Sequence, residues 1–330
     1  MKGATLPGIR KKVIWTRVAR RTGRNYLKMD LTPAQLRIDP ERVSQRLERF
    51  IKTSVDNLSR GGVIVGLSGG LDSSVVLSLS VAALGPSKVM GLIMPERDSQ
   101  PDSESDARLL AETLNVRVEQ IGLTPILDEL GIYKHIPRAI FARREIAGTA
   151  VKGSYKLYTR LTGERPFLSG LEGANFGPLR RANAYYRMKH RVRMVLLYSY
   201  AEHHNFLVAG TANKTEFLTG FFVKYGDSAA DIMPLLPLYK TQVIQLAKFL
   251  QVPEKIINKT PTPDLIPGIT DEFALGITYE KLDLILAGLD LNMEVEDIAK
   301  ASGVRRETIE YVRELVKRSE HMRNPPLIPD

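Results

Sequence analysis

Val63-Ile64-Val65-Gly66-Leu67-Ser68-Gly69-Gly70-Leu71-Asp72-Ser73-Ser74 constrains this 330-residue chain more than any other stretch. A β-branched apolar run ends in Ser-Gly-Gly and gives way to the apolar sequence Val75, Val76, Leu77, Leu79. The order predicts a buried strand, a tight loop and a helix N-terminus. Glycines let such a loop turn sharply and present its N–H groups. Those amides, the hydroxyls of Ser68, Ser73 and Ser74, and the positive end of the helix make a phosphate cradle. Asp72 repels anions, so its place in the cradle implies a divalent cation between it and the phosphates. No Gly-Lys-Ser/Thr follows, which excludes a Walker loop. Gly-x-Gly-x-x-Gly is absent, which excludes the dinucleotide fingerprint.

The same strand–loop–helix order recurs downstream. Residues 40–58 carry apolar residues at helical spacing behind Asp39-Pro40, an N-cap and first-turn pair. Lys88–Met94 reads as a second strand, 104–114 as a helix, Asn115–Ile121 as a third strand, 183–204 as an amphipathic helix and Phe206–Gly210 as a fourth strand. Repetition of this kind predicts an α/β fold, a parallel sheet with helices on both faces, whose ligands sit at the carboxyl ends of the strands. Residues 131–182 are rich in glycine and basic residues and read as loop with short helices, an insert of functional character. Residues 211–240 read as a polar, glycine-rich loop and 242–250 as a helix. The segment 290–323 reads as a helical tail, two helices around Gly303-Val304, and the expected organisation is a basic arm over 1–38 followed by one domain over 39–330.

Absence of cysteine removes disulfides, thiolate metal sites, cysteine nucleophiles and persulfide carriers from consideration. No apolar run is long enough for a membrane span, and the basic N-terminus lacks the apolar core of a secretory signal, so a cytoplasmic protein is expected. The net charge of +10 is unevenly placed. Residues 1–29 hold nine Lys/Arg and no acid, and 131–193 hold fourteen Lys/Arg against three Glu, so the rest of the chain is acidic. Two basic segments on an acidic body point to a polyanionic partner, a nucleotide pair or a nucleic acid.

Ser-Gly-Gly-x-Asp-Ser-Ser after a buried strand resembles the pyrophosphate loop of the N-type ATP pyrophosphatases, which cleave ATP between its α and β phosphates to adenylate a substrate. A second set of motifs narrows the resemblance: Thr211-Ala212-Asn213-Lys214-Thr215-Glu216, Gly220-Phe221-Phe222-Val223-Lys224-Tyr225-Gly226-Asp227, Ala230-Asp231-Ile232-Met233-Pro234 and Leu238-Tyr239-Lys240-Thr241. With Arg191-Val192-Arg193, Pro261-Thr262-Pro263-Asp264-Leu265, Thr270-Asp271-Glu272 and Glu320-His321, the chain resembles the ammonia-dependent NAD synthetases across about residues 60–323. The resemblance implies a Rossmann-like (adenine nucleotide alpha-hydrolase-like) fold with a helical C-terminal part. It implies a ligase acting on deamido-NAD, ATP and ammonia, with ATP and Mg2+ as its cofactors, in a homodimer with neither membrane nor nucleic acid as partner.

The resemblance also assigns residues. Gly66, Leu67, Ser68, Gly69, Gly70, Leu71, Asp72, Ser73, Ser74, Thr211, Lys240 and Thr262 match ATP contacts. Asp72 and Glu216 match the metal ligands, and hard carboxylate oxygens suit magnesium. Lys240 matches the lysine that meets the phosphates, where a point charge serves a departing pyrophosphate. Asp227 matches an acid that binds or deprotonates ammonium. Arg191, Lys224, Asp231 and His321 match contacts to deamido-NAD. The pattern departs at Arg187, Ser228, Ala229, Met233 and Met322, all on the dinucleotide side. The alternatives are a related pyrophosphatase adenylating another carboxylate or a tRNA base, and a nucleic-acid-binding protein keeping a vestigial nucleotide fold.

Overall fold

A computed structural model describes residues 31–136, 144–173, 176–262 and 269–329. Four parallel strands form its sheet: β1 (Gly62–Leu67), β2 (Val89–Ile93), β3 (Arg117–Gln120) and β4 (Phe206–Ala209), in the order β3-β2-β1-β4. The helices in chain order are α1 (Pro40–Asn57), α2 (Leu71–Leu84), α3 (Pro101–Thr113), α4 (Thr124–Glu129), α5 (Arg144–Thr162), α6 (Pro166–Leu171), α7 (Gly177–His204), α8 (Lys214–Thr219), α9 (Lys240–Phe249), α10 (Glu254–Ile257), α11 (Asp271–Leu275), α12 (Tyr279–Asp290), α13 (Val295–Ser302), α14 (Arg306–Arg318) and α15 (Glu320–Arg323).

Alternation along the strands divides the core. Val63, Val65 and Leu67 of β1 face one layer with α1, α2 and α9; Ile64 faces the other layer, with α7. β2 divides in the same way, with Val89 and Ile93 on one side and Met90 and Leu92 on the other. A strand buried on both faces needs apolar residues throughout, hence its unbroken run. Helix α2 is apolar nearly all round because it lies inside the layer. Its buried Ser78 and Ser80 hydroxyls donate to the carbonyls of Ser74 and Val76, so no polar atom is stranded. Asp39 accepts from Arg42 N at 3.1 Å and caps α1, as its position before Pro40 predicts.

The neighbours of β1 are β2 on one side and β4 on the other, so the chain reverses direction across the sheet beside β1. That switch point opens a crevice between the loops after β1 and β4. After β4 the chain returns at 230–232 and adds a short parallel bridge, Ala209 to Ile232.

A third apolar cluster joins α12, α13 and α14 with Leu31 and Leu36. Residues 31–38, placed by the sequence with the arm, pack on this body: Leu31 and Leu36 are buried, and Gln245 Nε2 donates to Leu36 O. Residues 1–30 lie outside the described residues. The helices on either side of Gly303, α13 and α14, form a packed helical hairpin, with Gly303 at φ 64° closing α13. No described helix is long and apolar enough to cross a membrane.

The expected loop with short helices over 131–182 is corrected: residues 144–162 form one 19-residue helix. Gly148 and Gly153 lower its intrinsic propensity, but packing decides. Tyr155 packs its ring at a tilt against Phe273, with centroids 5.2 Å apart, and its hydroxyl donates to Ala274 O at 2.8 Å. The expected loop over 211–240 likewise contains α8.

Candidate active site

The loop after β1 is built from contacts that only its own residues permit. Gly69 sits at φ 67°, and a Cβ there would lie 2.1 Å from Ser103 O. Ser73 Oγ and Ser74 Oγ donate to Gly70 O at 3.1 and 2.8 Å, fastening the loop to the first turn of α2. Asp72 stands in that first turn, on the rim of a cavity of about 1050 Å³. The cavity is lined by the Gly66–Ser73 loop, Thr211 after β4, Glu216 of α8, Lys240 of α9, Thr262, and Asp227. Ser74 is buried behind the loop and does not reach it.

Three loops therefore converge. Lys240, the first residue of α9 and 3% exposed, pairs with Asp72 Oδ2, and its Nζ is 3.8 Å from Glu216 Oε1. Asn213 links the two carboxylates. Its Nδ2 donates to Asp72 Oδ1 at 3.1 Å, while its Oδ1 accepts from Glu216 N at 3.0 Å and Glu216 Oε2 accepts from Asn213 N at 3.2 Å. This reciprocal capping box starts α8 and turns Glu216 toward the cavity. Asp271, 5% exposed, accepts from Tyr279 OH at 2.8 Å through Oδ2, while its Oδ1 has no hydrogen-bond partner among the described residues.

Charge is out of balance here. Burial, and then the Asp72 charge, push Glu216 well above the usual carboxylate range, with Lys240 opposing. Burial also raises Asp271 against the pull of Lys240 and Tyr279. Burial works to strip the proton from Lys240, but Asp72, Glu216 and Asp271 outweigh it and hold the ammonium above its ordinary range. Three acids sharing one ammonium fit a bound cation. Among the described residues no cluster of three His, Cys, Asp or Glu is arranged to hold a metal unaided. Two carboxylates supplemented by substrate phosphates are the ligand set that magnesium takes in nucleotide sites.

Asp227 lies at the other end of the cavity. Its Oδ1 accepts from Val223 N at 2.7 Å and closes the 223–228 turn, while its Oδ2 lies 3.9 Å from His190 Nδ1. Burial holds His190 below its ordinary pKa despite the Asp227 charge.

The four residues matched to deamido-NAD do not line this cavity. Three of them meet one another: Arg191 Nη2 donates to Lys224 O at 3.3 Å, and Lys224 Nζ donates to His321 O at 3.0 Å. Asp231 stands apart, accepting from Val208 N at 2.7 Å and from Tyr198 OH at 3.3 Å. Thr262 accepts from Gln100 Nε2 at 2.9 Å, tying it to the loop after β2; residues 263–268, which carry the rest of its motif, lie outside the described residues.

Sequence reasoning missed two groups of residues. Asn213 and Asp271 lie within the motifs, and of the two only Asn213 carries a local signal, the Asn-x-x-Glu capping pattern. The second group is a buried network behind the loop after β2. Lys189 is fully buried between Glu96 Oε1 at 2.8 Å and Asp98 Oδ2 at 2.6 Å, and Tyr133 OH donates to Glu96 Oε2 at 2.8 Å. Within an amphipathic helix nothing distinguishes Lys189 from a solvated lysine.

A parallel sheet with a glycine loop at its switch point, an acidic pair and a buried lysine defines a class of nucleotide-binding α/β proteins. Residues 43–144 and 173–326 match the NAD synthase family, to which this chain belongs. The NH(3)-dependent NAD(+) synthetase of Coprothermobacter proteolyticus is 45% identical over 257 residues, covering 77% of this chain and 87% of that one. An NMN synthetase from Francisella tularensis superposes with a TM-score of 0.66 at 30% identity, covering 89% of this chain and all of that one. The NH3-dependent NAD synthetase from Campylobacter jejuni superposes at 0.63 with 26% identity over the same shares.

Proposed function

We propose that this protein is a ligase that amidates deamido-NAD to NAD with ammonia, at the expense of ATP. The observation that carries the reading is the convergence of Asp72, Glu216 and Lys240 on one cavity beside the glycine loop. Family membership supports it, since the curated relatives are NH(3)-dependent NAD(+) synthetases.

The chain's own groups suit each step. Loop amides and the Ser68 and Ser73 hydroxyls receive phosphate oxygens at the N-terminus of α2. Asp72 and Glu216 would hold Mg2+, which when bound neutralises charge on the pyrophosphate. A nicotinate carboxylate oxygen attacks the α-phosphorus, and the bond to the bridging oxygen of pyrophosphate breaks. Lys240 meets the charge that builds on that oxygen, from a water-poor position where an ammonium is worth most. Ammonia then attacks the adenylated carboxyl carbon, and the bond to AMP breaks. Asp227 would bind ammonium through Oδ2 and take its proton, and the engagement of its Oδ1 in the turn supports that choice of oxygen. Thr211 and Thr262 flank the nucleotide. Arg191, Lys224, Asp231 and His321 serve the dinucleotide, within a cytoplasmic homodimer whose second copy completes that side.

Supplying ATP, magnesium, ammonium and deamido-NAD tests the reading by the release of AMP, pyrophosphate and NAD. AMP that forms without need of deamido-NAD, or none at all, contradicts it. The Francisella neighbour, an NMN synthetase, makes nicotinate mononucleotide the competing acceptor to run in parallel.

A further inference from the structure

Helices α8 and α9 carry Glu216 and Lys240, and neither helix is long enough to hold itself in place. Both are pinned by one carboxylate that never reaches the cavity. Asp283 of α12 is fully buried. Its Oδ1 accepts from Thr215 Oγ1 at 2.5 Å and its Oδ2 from Thr241 N at 2.8 Å. The Thr215 hydroxyl, whose hydrogen is directed at Asp283, accepts from Lys240 N at 2.9 Å. The first two N–H groups of α9, which no helix can satisfy internally, are thus taken by Asp283 and by the threonine it orients. Thr215 is fully buried and directly precedes Glu216, so one contact sets both helices. Negative charge at the N-terminus of α9 also complements its dipole. Two turns on, Asp290 at the rim of α12 holds only side chains, pairing with Lys214 and accepting from Tyr239 OH at 2.6 Å, with its own side chain 40% exposed.

We propose that Asp283, acting through Thr215, is a positioning residue that sets Lys240 and Glu216 against Asp72 for pyrophosphate departure. The proposal rests on the amidation reading above and concerns residues that touch no substrate. The amide of Asp283→Asn keeps one acceptor for Thr241 N–H but turns its Nδ2 donor toward Thr215, so the hydroxyl loses the acceptor that orients it. Thr215→Val removes the hydroxyl at constant shape, and Thr215→Ser restores it.

Steady-state kinetics with deamido-NAD, ammonium and ATP, together with amide hydrogen exchange across α9, form the test. Asp283→Asn and Thr215→Val should lose about ten- to a hundredfold in kcat, the KM for deamido-NAD unchanged. The Lys240 and Thr241 amides should lose protection in both variants. Thr215→Ser and the rim control Asp290→Asn should keep wild-type kcat. Should Asp283→Asn fail to fold, the Thr215 pair decides. A Thr215→Val enzyme with wild-type kcat overturns the proposal, as does a KM for deamido-NAD that rises in step with the fall in kcat. An equal loss in Asp290→Asn overturns it too, by pointing to general loosening of α12. The exchange measurement needs no acceptor, so a wild-type protein that makes no NAD refutes the amidation reading while the clamp is still read from α9.

Discussion

Asn213 Nδ2 lies 3.1 Å from Asp72 Oδ1, joining the loop after β4 to the loop after β1 across the switch point of the sheet. The same side chain caps α8 and so fixes Glu216. One amide therefore sets the spacing of the two carboxylates proposed to hold the metal. Asn213→Ala should cost about 1 kcal/mol of stability through the lost cap. It should also lower kcat about tenfold or more, because both carboxylates become free to drift. Thermal melts and ATP-saturated kinetics measure the two effects separately. A stability loss with intact kcat would reduce Asn213 to a cap.

Lys240→Met removes the one ammonium from among Asp72, Glu216 and Asp271. A fall of about two to three orders of magnitude in kcat is expected, the scale seen when a preorganised charge that meets a transition state is deleted. Without a cation the variant should also melt earlier than wild type, since three acids are left uncompensated. Added magnesium and ATP should recover part of that loss. A variant that keeps its turnover rate would remove Lys240 from the leaving-group site.

Gly69→Ala tests the loop itself. At φ 67° a Cβ would meet Ser103 O at 2.1 Å, so the loop must move. Left-handed backbone costs about 1–2 kcal/mol for a residue other than glycine, and the clash adds to it. The half-saturating ATP concentration should rise at least about tenfold, while the overall far-UV spectrum stays unchanged. Normal ATP saturation would show that the loop tolerates another path.

Burial pushes the Asp283 carboxyl up to about 6, although hydrogen bonds from Thr215 and Thr241 oppose it. A folded-state value above the unfolded one means that the native protein holds this proton more tightly. Its stabilising contribution is complete below about pH 4 and is lost as pH rises through about 6. The stability of wild type relative to Asp283→Asn should therefore decline from pH 4 to pH 7.5, on the order of 2–3 kcal/mol. Urea unfolding at both pH values measures it. A gap that widens toward neutral pH would contradict the assignment.

Legibility in the sequence followed how local each cause is. The loop from Ser68 to Ser74 was readable because strand, glycines and helix are consecutive, and the structure adds only that Ser74 faces inward. Asp72, Glu216 and Lys240 were readable as types, but their meeting depends on β4 lying beside β1, which no local pattern states. Helix α5 was hidden because Gly148 and Gly153 argue against it locally, whereas Tyr155 earns its place through Phe273, far along the chain. Asp283 was hidden for the opposite reason: on an apolar helix it passes for a solvated acid until Thr215 and Thr241 are seen to face it. The dinucleotide residues were drawn from motifs alone, and only Arg191, Lys224 and His321 touch one another in a single chain.

In the proposed reaction a carboxylate attacks the α-phosphorus and pyrophosphate is expelled. Deamido-NAD carrying oxygen-18 in its nicotinate carboxylate, turned over with ammonium and magnesium ATP, tests it by mass spectrometry of the nucleotide products. The account predicts AMP that carries one heavy oxygen, with unlabelled pyrophosphate. Unlabelled AMP, or ADP and phosphate as the products, would contradict it.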